Sequence, residues 1–186
     1  KIELPTELKT IGYSAFENCA SLVEVSIPDG VSNLGAAAFR GCTGLRTAYI
    51  PDSVRNIEHS LFRGCSSLAN LELPNVVASI GDTAFDRCSS ITEFTVPFGT
   101  ESIGSGAFSG CSSLSSITIP GSISRIGDFA FDGCENLKAV HLYDIAGWCN
   151  VELGQFGASP FLYGASLYDL DSLVNNLTIP DTVSAI

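Results

Sequence analysis

Apolar and polar positions follow one another along this chain in a pattern that recurs at every twenty-third position. Proline keeps this spacing at Pro5, Pro28, Pro51, Pro74, Pro97 and Pro120. Cysteine keeps it from Cys19 to Cys134, and phenylalanine keeps it from Phe16 to Phe131. Because three residue types share one spacing, each 23-residue unit is predicted to fold into one coil of a repeat structure.

Each unit is predicted to contain a short strand. In the unit that starts at Cys111, Leu114–Ile119 reads Leu-x-x-Ile-x-Ile, and its last part alternates with the period of two that is typical of a half-buried strand. Pro120 lacks a backbone donor and is predicted to end the strand. Ile123 and Ile126 are predicted to point inward from a second extended or turn segment.

A short helix is predicted to close each unit. Asp128 can cap this helix, and Phe131 and Cys134 can share its buried face. A glycine stands before the repeated cysteine in most units, which suits a helix end with positive φ, at Gly41, Gly64, Gly110 and Gly133. Asn18 can take the same conformation, whereas Arg87 departs from the pattern and nothing in the sequence explains it.

One such unit cannot bury its own apolar face, but stacked units can, because every twenty-third side chain then falls in one internal column. Phe39, Phe62 and Phe85 would be neighbours in that column. With strands about 4.8 Å apart, seven strands would form a parallel sheet roughly 30 Å wide. The predicted fold class is an α/β repeat solenoid, with a parallel β-sheet on the concave face and short helices and turns on the convex face.

The repeat is interrupted after Cys134. Two further periods after Pro120 would end at Ser166, but the next proline of the series is Pro180, which stands fourteen positions later. The additional stretch lies within 143–176. The sequence therefore predicts one irregular, insertion-bearing unit near the end of the chain.

Within this irregular unit we predict a short helix over 145–151, then a loop, and a hairpin with strands over 166–168 and 173–179. The unit contains aromatic residues that no regular unit has, among them Trp148, Phe156, Phe161, Tyr163 and Tyr168. In one interpretation these side chains plug the wall of the solenoid. In the other, Trp148, Phe156 and Tyr163 form a recognition bump, because Trp and Tyr are enriched in binding hot spots.

The charge of the chain argues against two classes of partner. The formal net charge is −11, and the nine basic residues are scattered. Nucleic acids and anionic membrane surfaces both need a clustered basic surface. No apolar run approaches the roughly 18 residues that a membrane span needs. We therefore expect no nucleic acid and no membrane insertion, and we expect a partner whose basic surface complements the excess of acids.

The repeated cysteines do not predict a metal or disulfide site. Their spacing places one cysteine in each coil, whereas a zinc site needs four converging ligands, usually from Cys-x-x-Cys pairs. Side chains in a parallel column also have poor disulfide geometry. We predict buried thiols that act as small apolar groups. Cys149 lies off the repeat and is the candidate for a reactive thiol.

Other residues with chemical potential also have plainer explanations. His59 and His141 are far apart in the predicted stack, so neither a metal site nor a catalytic triad follows from them. The glycines of 104–110 belong to the repeat and lack the long helix of a nucleotide-binding loop. Asn176 begins an N-glycosylation acceptor triplet. We expect no enzyme activity, no cofactor and no bound metal.

The unit Cys-x-x-Leu-x-x-Ile-x-Ile-Pro-x-x-Ile-x-x-Ile-Gly-x-x-Ala-Phe resembles the BspA-like, or Treponema-type, leucine-rich repeats. The resemblance covers nearly the whole chain and includes the irregular stretch 144–150. It implies a leucine-rich-repeat superhelix. It also implies a secreted or cell-surface protein of the kind that takes part in adhesion to host proteins or in cell–cell contact.

The expected organisation is one leucine-rich-repeat domain over residues 1–186. Regular units cover 1–142, the irregular unit covers 143–176, and a partial unit covers 177–186. The chain starts inside a strand and ends before its last Gly-x-x-Ala-Phe. Because solenoids need polar end caps, we expect this chain to be a segment of a longer array.

The residues that flank the middle apolar position of each predicted strand point outward on the concave face, and they vary while the interior is uniform. The candidate partner-binding residues are Glu24, Ser26, Thr47, Tyr49, Asn70, Glu72, Glu93, Thr95, Ser116, Thr118 and His141. One interpretation is a solvated face, and the other is a surface that binds a protein or glycan. We expect a binding module, with an architectural spacer that carries another domain as the alternative.

Overall fold

The computed structural model describes residues 2–175, and each repeat unit in this range forms one coil of a solenoid. In chain order the elements are β1 (Thr10–Ile11), β2 (Glu24–Ser26), β3 (Asn33–Leu34), β4 (Thr47–Tyr49), β5 (Asn56–Ile57), β6 (Asn70–Glu72), β7 (Ser79–Ile80), β8 (Glu93–Thr95), β9 (Ser102–Ile103), β10 (Ser116–Ile119), β11 (Arg125–Ile126), β12 (Ala139–Leu142), α1 (Ile145–Trp148), β13 (Glu152–Leu153), β14 (Ser166–Asp169) and β15 (Ser172–Leu173). The predicted partial unit 177–186 and the acceptor triplet at Asn176 lie outside the described residues.

The longer strands stack in parallel in the register of the repeat, so that Val25 pairs with Ala48 and Ile117 pairs with Val140. The prediction of one seven-stranded sheet is wrong. Strands β2, β4 and β6 form one sheet, and β8, β10, β12, β14 and the antiparallel β15 form another. No pairing joins β6 to β8 in residues 2–175. We call the outward side of these two sheets the strand face.

The two-residue strands form a second parallel ladder, where the sequence predicted only an extended or turn segment. Strand β1 pairs with β3, and β5, β7, β9, β11 and β13 form a continuous sheet. The inward residues of this sheet are buried, as at Ile57, Ile80, Ile103 and Ile126. Each coil is therefore hydrogen-bonded to its neighbours on a second side as well, except that β3 and β5 are not paired in the part of the chain that the structure describes.

The short helices predicted for the regular units are wrong, because turns take their place. The amide of Phe39 donates to the Leu61 carbonyl oxygen at 3.1 Å, and the amide of Gly41 donates to that of Arg63 at 2.7 Å. These amides bond to the next coil, so they cannot bond four residues back within their own coil as an α-helix requires. Asp128 caps no helix and accepts a hydrogen bond from the Gln155 amide at 2.6 Å. We call this third line of bonds the turn ladder.

Two residues in each turn take the left-handed backbone conformation. The first precedes the repeated cysteine, and the positive φ predicted for its glycines is confirmed, with 70° at Gly41 and 74° at Gly64. Arg87 takes the same conformation, with φ of 60°. The second lies four residues earlier and is usually not glycine, at Ser14, Ala37, Ser60, Thr83, Gly106 and Phe129. A left-handed residue cannot continue a right-handed helix, which is a second reason for the turns.

The interior contains a continuous column of phenylalanine rings. Successive rings from Phe16 to Phe131 stack with centroids 5.4 to 5.8 Å apart and planes within 14° of parallel. The prediction that Phe39, Phe62 and Phe85 are neighbours in one core is therefore confirmed. Each ring covers the next, so the coils bury together an apolar surface that no single coil could bury.

A column of thiols runs beside the rings, and each thiol donates a hydrogen bond to a phenylalanine carbonyl of the preceding coil. Cys65 Sγ lies 3.1 Å from the Phe39 oxygen, for example, and Cys88 Sγ lies 3.1 Å from that of Phe62. The predicted burial is confirmed for Cys42, Cys65, Cys88, Cys111 and Cys134. It is wrong for Cys19, which is exposed because no earlier coil covers it in the described residues.

The irregular unit adds a helix and a hairpin to the solenoid. The predicted helix is confirmed as α1, and Asp144 caps it by accepting a hydrogen bond from the Gly147 amide at 2.9 Å. Arg125 then pairs with Glu152. The regular 23-residue spacing would pair it with the residue four positions earlier, so the coil resumes after a short insertion. The hairpin is confirmed as β14 and β15, although β15 covers only Ser172–Leu173 where the sequence predicts a strand over 173–179, and residues 176–179 lie outside the described residues.

Candidate partner-binding face

All eleven predicted contact residues lie on the strand face, with Glu24 and Ser26 on β2, Thr47 and Tyr49 on β4, Asn70 and Glu72 on β6, Glu93 and Thr95 on β8, Ser116 and Thr118 on β10, and His141 on β12. They alternate with inward residues that are buried, except for the half-buried Leu71. The strands therefore present these side chains in one array. Contact with a partner remains a prediction for each of them.

Two aromatic side chains of the strand face are held by neighbouring groups. The Tyr49 hydroxyl lies 3.5 Å from Asp29 Oδ1, and the negative charge of Asp29 raises the pKa of Tyr49. The ring of His141 stacks on Tyr168 with centroids 4.6 Å apart, and its Nδ1 donates to the Leu170 carbonyl oxygen at 2.6 Å. The hairpin of the irregular unit thus fixes the orientation of His141.

The exposed acids of the strand face lie where its two sheets separate. Glu72 is the last residue of β6, Glu93 is the first residue of β8, and both are exposed. Neither forms a salt bridge in residues 2–175, whereas Asp86 elsewhere pairs with Arg63 at 2.9 Å. The centre of the strand face therefore carries negative charge that the described part of the chain does not neutralise.

A cleft of about 400 Å³ opens between β6 and β8, and we call it the strand cleft. Most of the residues that line it are apolar, Leu71 and Val96 among them, and about half of the exposed lining surface is polar. Phe94 also lines it and packs edge-on against Phe85 and Phe108, with ring centroids 5.1 and 4.7 Å away. Other coils fill the inward position of Phe94 with Val25, Ala48, Leu71, Ile117 or Val140. Phe94 is the bulkiest residue at this position, and it coincides with the separation of the sheets.

An exposed aromatic edge borders the strand cleft. Phe98 is 58% exposed, and its ring lies 5.4 Å from that of Tyr143. Val76 is exposed beside it and forms a single backbone bridge with Phe98. Neither the cleft nor this edge was predicted from the sequence. The available signal was the repeat itself, since Phe98 follows the repeated proline at a place that other units fill with Asp29, Asp52, Asn75 or Gly121.

The structure does not show the predicted recognition bump as one cluster, because its three residues have different partners. Trp148 packs on the core, with its ring edge-on to Phe161 at 5.9 Å. Phe156 is exposed and stacks on Phe129. The Tyr163 hydroxyl accepts a hydrogen bond from the Gly133 amide at 2.9 Å. For Trp148 and Tyr163 these contacts agree with a plug in the solenoid wall.

The remaining candidates for chemistry lie apart from one another. His59 Nε2 lies 3.1 Å from the Ser60 hydroxyl, and the half-buried Cys149 Sγ lies 3.5 Å from the Ile145 carbonyl oxygen. In the range 2–175, no three His, Cys, Asp or Glu residues are grouped so that they could hold a metal ion. The same range contains no helix of the length and apolarity that crossing a bilayer requires.

Comparison with known proteins identifies the repeat. The sequence matches the family "BspA type Leucine rich repeat region" in six copies, over residues 1–112 and 78–149. A search of curated proteins gave no match.

Three solved structures show the same architecture. A leucine-rich repeat protein from Bacteroides ovatus is 33% identical with a TM-score of 0.77, over 87% of this chain and 41% of that chain. The leucine-rich repeat protein of T. pallidum is 31% identical with a TM-score of 0.71, over 84% of this chain and 85% of that chain. A leucine-rich cell surface protein from Faecalibacterium prausnitzii is 22% identical with a TM-score of 0.53, over 80% and 55%. The present chain thus spans about two fifths of the B. ovatus protein.

Proposed function

Because this chain belongs to the BspA-type leucine-rich repeat family, we propose that it is a binding module of a secreted or cell-surface protein and that its strand face contacts a protein or glycan partner. One observation carries the proposal. The inward residues of the strands are all apolar and are buried except for the half-buried Leu71, whereas the outward candidate residues are polar or aromatic and differ from coil to coil. This variety gives each coil a different side chain to offer a partner. Solenoids of this kind commonly bind partners across such extended surfaces.

The charge of the strand face supports a partner with a basic surface. The chain carries a net charge of −11, and the exposed Glu72 and Glu93 lie at the centre of the face without salt bridges in residues 2–175. Complementary charge mainly increases the rate of encounter and the selectivity between partners. We therefore expect capture of the partner to weaken as the salt concentration rises.

An extracellular location and a role in adhesion are part of this proposal. The F. prausnitzii protein that shares the fold is a cell surface protein. We also propose that the chain is not an enzyme. In support, His59 Nε2 faces the Ser60 hydroxyl and His141 Nδ1 faces the Leu170 carbonyl oxygen, and neither histidine belongs to a group of three possible metal ligands in the described coils.

The test uses two probes, a library of random dodecapeptides and an array of glycans. Binding of the purified chain is compared with binding of the double variant Glu72→Lys/Glu93→Lys. The matched control is Glu101→Lys/Glu135→Lys, which makes the same change of charge at exposed residues outside the strand face. We expect ligands from at least one probe to lose about tenfold or more in affinity with the strand-face variant, a loss of about 1.4 kcal/mol or more, and to bind the control nearly unchanged.

Two results would contradict the proposal. Ligands that bind both variants equally would place the binding surface elsewhere on the solenoid. A chain that captures nothing from either probe would favour the architectural spacer, which carries another domain and has no ligand of its own.

A further inference from the structure

We propose that the strand cleft binds an extended segment of a protein partner, which pairs its backbone with the cleft edges and inserts one apolar side chain flanked by lysine or arginine. This inference rests on the proposed function and narrows it to one class of ligand at one site. It depends on three features of the cleft: its backbone edges, the way it is held open, and the chemistry of its lining.

The backbone edges of the cleft lack the hydrogen bonds that the repeat makes on either side. The Ile50 amide donates to the Glu72 carbonyl oxygen at 2.9 Å, and the Val96 amide donates to that of Thr118 at 3.0 Å. The equivalent bond between them, from the Leu73 amide to the Thr95 carbonyl oxygen, is absent in the described coils, as is all pairing of β6 with β8. Two parallel edges with free donors and acceptors thus face one opening, and such edges accept an added strand from a partner.

The rest of the fold holds this opening in place. On the other sides of the same two coils, β7 pairs with β9, and the Phe85 amide donates to the Ala107 carbonyl oxygen at 2.8 Å. The coils therefore separate only on the strand face. The ring of Phe94 fills the core between Phe85 and Phe108, where smaller residues stand in the other coils. A site that is already formed does not require an ordering step when the ligand binds.

The lining of the cleft selects the ligand. A volume of about 400 Å³ lies within the range of roughly 300–1,000 Å³ that is usual for ligand sites. Leu71, Leu73 and Val96 supply apolar surface, about half of the exposed lining is polar, and Glu93 is the one charged residue that lines the cleft. Glu72, at the end of β6, adds a second carboxylate on the strand face next to the cleft. Apolar walls suit an apolar side chain, and the carboxylates suit neighbouring lysine or arginine. A glycan would instead be held mainly by polar side chains, and only Asn75, Glu93 and Thr95 supply them among the lining residues.

The first experiment measures amide hydrogen exchange of the whole chain by NMR, with and without dodecapeptides selected from the random library. In the free chain we expect the amides of Leu73 and Glu93 to exchange at least tenfold faster than those of Ile50 and Asn70, which occupy equivalent places in paired strands. Bound peptide should slow the two cleft amides at least tenfold. A peptide with N-methylated backbone amides should bind at least tenfold more weakly, because it cannot donate to a strand edge.

The second experiment measures peptide affinity for three variants. Phe94→Val places at this position the residue that β2 and β12 use. It should let β6 and β8 approach, protect the Glu93 amide without peptide, and reduce affinity at least tenfold. Glu93→Lys reverses the charge at the cleft without filling the core position of Phe94 and should also reduce affinity. Glu101→Lys changes an exposed residue beside the second parallel ladder, away from the cleft, and should leave the peptide affinity within twofold of that of the parent chain.

The outcomes separate this inference from the broader one. Peptides that bind without protecting the cleft amides, or glycans that bind while no peptide does, would overturn the strand cleft as a peptide site and leave the binding module standing. If no ligand is found from either source, both proposals fail. Protection of the cleft amides together with loss of affinity in Glu93→Lys supports the inference even where Phe94→Val fails to fold.

Discussion

Replacing Phe85 by alanine tests whether the phenylalanine column joins the coils into one folding unit. The ring is fully buried, stacks on Phe62 and Phe108, and meets Phe94 edge-on. Truncating a buried phenylalanine to alanine costs about 3–5 kcal/mol, because apolar contacts are lost and a cavity remains. The three ring contacts account for part of this, at about 0.5–1.5 kcal/mol each. Since whole domains are stable by only about 5–15 kcal/mol, the variant should be severely weakened.

The assay is equilibrium unfolding in urea, followed by circular dichroism and by the fluorescence of the single tryptophan, Trp148. The control is Phe156→Ala, which removes a ring that is 60% exposed and stacks on Phe129, at a cost of about 1 kcal/mol or less. Because each coil contacts only its neighbours, the two signals of Phe85→Ala should also separate, with the coils around Trp148 unfolding at their own midpoint. A loss below about 1.5 kcal/mol with coincident transitions would refute this account of the column.

Three further predictions concern thiols and backbone. In the folded chain only Cys19 and Cys149 should react rapidly with a thiol reagent, and all seven cysteines should react in urea; rapid reaction of a third thiol when folded would contradict the buried column. Burial raises the pKa of Cys42 to about 11 and of Cys134 to about 12, so the folded chain holds these protons more tightly than the unfolded chain. Their contribution to the free energy of unfolding is complete below about pH 9 and should fall above it by up to about 1.4 kcal/mol per pH unit for each such thiol. A free energy of unfolding that stays constant up to about pH 10.5 in urea titrations would be inconsistent with this. Gly110 and Arg87 both have positive φ, a conformation that costs a residue with a Cβ atom but not glycine. Gly110→Ala should therefore destabilise the fold by about 1–2 kcal/mol, whereas Arg87→Gly should not. Equal thermal midpoints for the two variants would argue against backbone strain at these positions.

The sequence alone was enough to predict the interior of this fold. The spacing of Phe39, Phe62 and Phe85 predicted that their rings would be successive neighbours, and the structure confirms it. Such columns are readable because stacking places every twenty-third side chain in the same environment, so that one residue type satisfies it in every coil. The glycines before the cysteines were readable for the same reason, since one backbone conformation recurs at that place.

Features that no repeated residue type marks, or that belong to a single coil, were not predicted. The turns were not predicted because the second left-handed position holds Ser60, Thr83 and Phe129 in different coils and has no common residue type to reveal it. The strand cleft coincides with Phe94, which is larger than its counterparts in the other coils, and in the regular pattern Phe94 counts as one more apolar residue. The sequence was enough to predict that the candidate contact residues share one face. It was not enough to predict the cleft that divides this face between β6 and β8.

The three lines of hydrogen bonds also determine how the solenoid would respond to a pulling force along its axis. Between the coils that contain β8 and β10, two strand ladders and the turn ladder must all break before the coils part. Between the coils of β6 and β8, the first line is already open and only two lines carry the load. The junction between the coils of β2 and β4 also has two lines, because β3 and β5 are unpaired in the described residues. A chain held at one end and stretched from the other would therefore yield at these levels before it yields at the fully bonded ones. At the level of β6 and β8, mechanical tension would widen the very opening that lies at the centre of the strand face.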